Sequence, residues 1–377
     1  MVRSLSALVL AFACAVFSAH ANDQATPPSG GADLAAFLAE LWSDAQARGI
    51  KRSTFDGALA GFTPDSRVIA ATRREPEYGK PIGSYINAIA STARISAGRN
   101  KAAQWASVLD AIEKKFDVER WVILGLWGIE TSYGADKDRW DVIRSLATLA
   151  WARYRHPYFR NELLAALRIL QEGHISRDRM VGSWAGAMGQ PQFMPSNFFE
   201  YAVDFSGDGR RDIWTNVPDV LASVGNYLKL EGWEAGLPWG FEVVLPTEFD
   251  YRRSRASFLE WAALGVKRAD GGMLPIKGDA VLLFPSGANG PAFLVTKNFV
   301  VVKLYNNSDA YALAVGIWQT ACAVVDLFAA IGRRKIRSSR ARRESSCSEN
   351  WRASATRSTI FTAASTSNCG MPFARFR

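Results

Sequence analysis

VILGLWGIETSYG, residues 122 to 134, runs eight residues without a charge and then sets Glu130 against a Thr-Ser-Tyr-Gly turn. An all-apolar stretch of this length reads as a helix buried on every side, and the turn residues stop it. A carboxylate against Leu126, Trp127 and Ile129 would be partly desolvated, which raises its pKa and keeps some of it protonated near neutrality. Such a group can act as a general acid. A solvated or ion-paired Glu at a helix end is the plainer reading of a lone carboxylate.

The surrounding chain reads as mainly helical. Before it, DLAAFLAELWSDAQARG stops at Gly49, and AQWASVLDAIEKKFD repeats apolar residues at three and four. After it, Asp141 caps VIRSLATLAWARY, YFRNELLAALRILQEG closes at Gly173, and VPDVLASVGNYLKLEGW is again helical. GSWAGAMGQPQFMPSNF is too rich in breakers for one long helix. Residues 240 to 304 change character, with FEVVLP, DAVLLFPSG, GPAFLVT and FVVVKLY as β-rich runs. The fold class expected is α+β, mainly α.

Arg3, an apolar stretch from Leu5 to Phe17 and the Ala19-His20-Ala21 site read as a cleavable export signal covering residues 1 to 21. A lipid anchor through Cys14 competes poorly with that site. The other cysteines, Cys322, Cys347 and Cys369, all follow residue 316, so a disulfide framework and thiolate catalysis are excluded from 22 to 316. The net charge of +9 is also local: residues 317 to 377 carry 11 Lys+Arg and 3 Asp+Glu, whereas 22 to 316 hold 33 of each sign. The main body is neutral, and no nucleic-acid partner is implied. The Arg/Ser-rich tail from 317 reads either as a disordered basic extension or, the preferred reading, as translation in a shifted frame.

A second candidate site lies in VDFSGDGRRDIWTNVPD. Asp204, Ser206, Asp208 and the Arg210 carbonyl occupy alternate positions, with Gly209 at the sixth, which is the oxygen spacing of a Ca²⁺ loop. Thr215 stands where the closing Glu is usual, and Asp219 is the nearest later carboxylate. A polar Asp/Gly turn is the alternative.

Together, GLWGIETSYG, GSWAGAMGQPQFMPSNFFEYAVDFSGDGRRDIW and LASVGNYLKLEGW resemble the membrane-bound lytic transglycosylase B family over roughly residues 32 to 316. The resemblance implies a lysozyme-like catalytic core over 118–239, an N-terminal helical part over 22–117, a small β part over 240–304 and a return to the core over 305–316. It implies that Glu130 is the single catalytic acid, cleaving peptidoglycan between N-acetylmuramic acid and N-acetylglucosamine to 1,6-anhydro products. Ser183, Gln192, Tyr305, Asn306 and Tyr311 match residues lining the family's cleft; Tyr85, Tyr158 and Tyr227 match further cleft tyrosines. Arg153 and Arg155, split by Tyr154, stand near an adjacent arginine pair of the family. A structural Ca²⁺ at 204–219 is implied, with no cofactor for catalysis. So are a periplasmic location, a monomeric chain, glycan strands as substrate and cell-wall synthesis or remodelling proteins as partners. The alternatives are a hydrolytic muramidase and a non-catalytic peptidoglycan-binding scaffold.

Overall fold

The computed structural model describes residues 31–73, 82–136, 140–287 and 289–323. The export signal, Cys14 and the tail beyond 323 lie outside them. The chain runs α1 (Gly31–Ala47), α2 (Arg52–Leu59), α3 (Ser66–Thr72), α4 (Ile82–Ile89), α5 (Thr92–Gln104), α6 (Ala106–Phe116), α7 (Arg120–Thr131), β1 (Trp140–Asp141), α8 (Val142–Trp151), α9 (Tyr158–Gln171), β2 (Val181–Gly182), α10 (Pro195–Tyr201) and α11 (Val217–Leu230). Then follow β3 (Gly240–Val244), β4 (Arg255–Ser257), α12 (Phe258–Ala263), β5 (Lys267–Arg268), β6 (Asp279–Leu283), β7 (Ala292–Val295) and α13 (Lys297–Tyr305). Residues 309 to 323 form α14. None of the described helices is long and apolar enough to cross a membrane.

Helix α7 is the axis of the fold. Every residue from Trp121 to Gly128 is buried, and the helix packs against α5, α6 and α11. Each large side chain so buried contributes roughly 1.5–3 kcal/mol relative to exposure, so a charge within this run would be costly. The core built on it is continuous from Phe37 in α1 to Cys322 in α14. The N-terminal helices therefore share the core of the segment that follows. Polar clasps add register: Arg160 Nε donates to Asp44 at 2.6 Å, and the Lys51 N–H donates to Gln171 at 2.6 Å.

The cap expected at Asp141 is present, and a second stands at Asn216. The Asp141 side chain accepts the Arg144 N–H at the start of α8, and the Asn216 side chain accepts that of Asp219 at the start of α11. The long helix expected through AQWASVLDAIEKKFD is instead broken at Trp105, between α5 and α6.

The β part is an antiparallel sheet of order β4-β6-β7-β3-β5 with its own small core around Phe258 and Trp261. FVVVKLY, expected to be β-rich, lies in α13. The Thr296 side chain caps that helix, while the wholly buried Asn298 accepts the Glu234 N–H and donates to the Glu234 and Leu237 carbonyls. Helical packing of Phe299, Val301 and Val302 into the main core overrides the β preference of the valines.

The tail also begins later than composition placed it. Residues 317 to 323 continue α14, with Trp318 and Cys322 buried and Thr320 Oγ1 accepting the Trp239 indole N–H at 2.9 Å. The basic excess of the tail, 11 Lys+Arg against 3 Asp+Glu, begins only at Arg333, and the apolar helical spacing runs on past 317.

Candidate active site

Glu130 stands on the last turn of α7, where the buried axis emerges, and is half-buried. The helix ends through three successive left-handed residues, Ser132 (φ 49), Tyr133 (φ 63) and Gly134. Two of them are not glycine, and such backbone is retained where packing over-determines it. Tyr133 folds back so that its ring meets the edge of Trp127 and its hydroxyl donates to the Arg94 carbonyl.

One partner of Glu130 comes from α14. Tyr311, 2% exposed, donates its hydroxyl to Glu130 Oε1 at 2.5 Å. Burial first, then the Glu130 charge, holds the Tyr311 phenol well above its ordinary pKa, so it remains a donor at any physiological pH. The Tyr305 phenol is raised by the same two causes, and it donates to the Pro191 carbonyl at 2.6 Å. Tyr305 packs on Tyr227 and Phe193 with ring centroids 4.7 and 5.9 Å apart. Burial pushes the Tyr227 phenol up as well. Tyr85 of α4 lies close enough to help raise the Tyr311 phenol. The structure thus gathers Glu130, Tyr85, Tyr227, Tyr305 and Tyr311 into one wall, with exposed Asn306 at the end of α13 beside it.

Ser183 and Gln192 belong to the tight segment between β2 and α10. The Ser183 Oγ accepts the Ala187 N–H at 3.1 Å, and its backbone N–H donates to the Ala187 carbonyl. That leaves the hydroxyl proton of Ser183 for another acceptor. Gln192 holds a left-handed φ of 54, and its side chain donates to the Gly189 carbonyl at 2.9 Å. Pro191, which receives Tyr305, is its neighbour. Arg153, Arg155 and Tyr158 stand at the turn from α8 to α9. Both arginines have positive φ, the Arg155 guanidinium lies over the Tyr154 ring, and Tyr158 meets the edge of Phe159.

Sequence reasoning missed Gln190. Its side-chain oxygen accepts the Trp127 indole N–H at 2.7 Å and its amide nitrogen donates to the Trp214 carbonyl at 2.9 Å. A second Gln two residues from the matched one carried no signal of its own. A cavity of about 380 Å³ opens beside it, lined by Thr131, Gln190, Asp178, Arg179 and Trp214. Thr131 and Gly134, from the turn that follows Glu130, line it, and Glu130 does not.

In the 204–219 loop, carboxylates gather backbone N–H groups. Asp204 accepts those of Gly207, Asp208 and Gly209, with Gly209 turning at φ 84. Burial opposes the Asp204 charge, but these N–H groups outweigh it and hold the carboxyl below its ordinary pKa. Asp219 is wholly buried and accepts the N–H groups of Phe205, Ser206 and Asp212. Among the described residues, no three His, Cys, Asp or Glu side chains form a metal-holding group. Carboxylate oxygens that accept N–H bonds keep further lone pairs, so the donor set of Asp204, Ser206 and Asp208 still fits a hard cation.

Fold and site define a lysozyme-like protein, mainly helical, with an acid at the mouth of its axial helix and a small attached sheet. A family model described as the transglycosylase SLT domain matches residues 33–319, and the chain belongs to that family. It is similar to membrane-bound lytic murein transglycosylase B of Escherichia coli (strain K12), at 32% identity over 238 residues, 60% of this chain and 63% of that protein. The chain therefore spans less than two thirds of that relative's length. Among solved structures it resembles SltB3 from Pseudomonas aeruginosa in complex with NAG-anhNAM-pentapeptide, at 44% identity and TM-score 0.75 over 78% of this chain and 80% of that one. It also resembles the Escherichia coli lytic transglycosylase Slt35 in complex with calcium, at 25% identity and TM-score 0.65 over 82% of this chain and 98% of that one.

Proposed function

We propose that the chain is a peptidoglycan lytic transglycosylase with Glu130 as its single acid and base. The observation that carries this is the pairing of a half-buried Glu130 with Tyr311, a phenol that burial and the Glu130 charge hold in its protonated form, inside an aromatic wall. SltB3, similar in fold and sequence, is solved with an anhydro-muramyl peptide.

In this reading Glu130 delivers its proton to the glycosidic oxygen between N-acetylmuramic acid and N-acetylglucosamine. As that bond breaks, positive charge develops at the muramyl C1, and the substrate's own N-acetyl carbonyl shields it. Ser183, with its hydroxyl proton uncommitted to Ala187, orients the N-acetyl group. The Glu130 carboxylate, steadied by Tyr311, then takes the proton of the muramyl O6 hydroxyl as O6 bonds to C1. The acid is regenerated, and the sugar leaves as a 1,6-anhydro product. Intramolecular attack carries the proximity advantage, so no water nucleophile or second base is needed. Gln192, Asn306, Tyr227, Tyr305 and Tyr85 line the glycan groove, and Arg153, Arg155 and Tyr158 meet carboxylates or rings farther along the strand.

Asp204, Ser206, Asp208 and the Arg210 carbonyl, with Asp219 behind them, would hold a structural Ca²⁺, whose charge cross-links the loop. The place of action is the periplasm after cleavage of the leader. Mass spectrometry of products from purified sacculi tests the assignment. Anhydro-muramyl ends are expected; reducing ends would replace the reading with a hydrolytic muramidase, and no products with a scaffold.

A further inference from the structure

Gln190 touches neither substrate nor acid in the reading above, yet all four of its polar groups are committed to two segments, the last turn of α7 that carries the acid and residues 213–214. Its side-chain oxygen takes the Trp127 indole N–H, three residues before Glu130, and its backbone carbonyl takes the Thr131 hydroxyl at 2.9 Å, one residue after it. On the other side, its amide nitrogen donates to the Trp214 carbonyl and its backbone N–H to the Ile213 carbonyl, both at 2.9 Å. An indole can only donate and a carbonyl can only accept, so the amide has one orientation that satisfies both ends. The contact is close as well: a β-carbon on Gly134 would sit 2.4 Å from Gln190 Oε1.

The segment it grips on the far side is itself anchored. Asp212 accepts the N–H groups of Trp214 and Thr215 and donates its own to buried Asp219. The next residue, Pro191, receives the Tyr305 hydroxyl of the aromatic wall. We propose that Gln190 is the positioning residue for Glu130, clamping the last turn of α7 on both sides of the acid and referring it to the braced 212–219 segment. The proposal rests on Glu130 being the acid. Positioning of this kind acts on turnover: a misplacement of about 1 Å costs on the order of 10²-fold in rate.

Murein turnover and melting of wild type, Gln190→Met, Gln190→Glu and Glu130→Gln, across pH, test it. Met keeps the volume and loses both side-chain hydrogen bonds; kcat should fall about ten- to a hundredfold with KM within about twofold. Glu accepts from the indole but repels the Trp214 carbonyl until it is protonated, when it donates as the amide does. Its kcat should therefore recover toward wild type as pH falls, relative to wild type at the same pH. If Gln190→Met does not fold, this pH profile decides alone. Wild-type kcat in Gln190→Met, or a Gln190→Glu profile parallel to wild type, overturns the positioning role and, with Glu130→Gln inactive, leaves the acid standing. Full activity of Glu130→Gln overturns both.

Discussion

The wall around Glu130 and the loop from Asp204 to Asp219 both place carboxylates, and they do so by opposite means. Glu130 is met by Tyr311, 181 positions away in sequence, on a helix that follows the whole β part. Asp204 and Asp219 are met by backbone N–H groups no more than 14 positions distant. The distant arrangement fixes a proton donor against a carboxyl in a semi-buried wall; the local one makes a rigid, charged turn near the surface. Reactivity is built from long-range packing, and rigidity from short-range backbone.

The contrast can be broken most severely at the acid. Glu130→Gln should lower murein turnover by about 10²- to 10⁴-fold, the range for a lost general acid, with little change in melting. Asp219→Ala removes the acceptor for three N–H groups in a wholly buried position, and should cost about 3 kcal/mol in urea unfolding. Ca²⁺ at roughly a hundred times its Kd should stabilise the protein by about 2.7 kcal/mol in the same assay, and Asp204→Asn should reduce that gain. Equal melting curves with Ca²⁺ and with chelator would remove the metal from the loop. Tyr311→Phe deletes one hydrogen bond to the acid and should lower kcat about tenfold, near 1.4 kcal/mol.

The smallest expected effect concerns Glu162, a buried carboxyl of α9 that accepts the Ser196 N–H and hydroxyl. Burial raises its pKa, and the two Ser196 bonds only partly oppose the shift. A folded carboxyl raised above its unfolded value stabilises the fold below the unfolded pKa, and that contribution is lost as pH rises through the folded one. The stability gap between wild type and Glu162→Gln should therefore narrow as pH rises from about 4 to 7 in parallel melting series. A gap that widens would place the shift in the other direction.

What was legible in the sequence follows the same division. The Asp141 cap and the end of α9 near Gly173 depend on neighbours within a turn or two, and each could be read from spacing. The acid's turn was legible because eight uncharged residues precede it. α13 was misread because its helix is set by the packing of Phe299, Val301 and Val302 into the distant main core and by Asn298 reaching back to Glu234 and Leu237, not by the local β preference of its valines. Gln190 was missed because Trp127 and Trp214, its partners, lie 63 and 24 positions away. Tyr305, Tyr311 and Tyr227 entered only through the family resemblance; no spacing within the chain brings them together.

One contact carries a consequence for biosynthesis. The Trp318 indole fills the notch over Gly98, where a β-carbon would lie 2.1 Å from Cζ2, and so joins α14 to α5. A nascent chain therefore cannot seal the side of α5 until more than two hundred further residues have been translated. Closure at such high contact order is slow, and the apolar face of α5 awaits it uncovered. A ribosome-stalled series of increasing length should pass from protease-sensitive to protected only when the chain extends far enough beyond Trp318 for that ring to have left the exit tunnel.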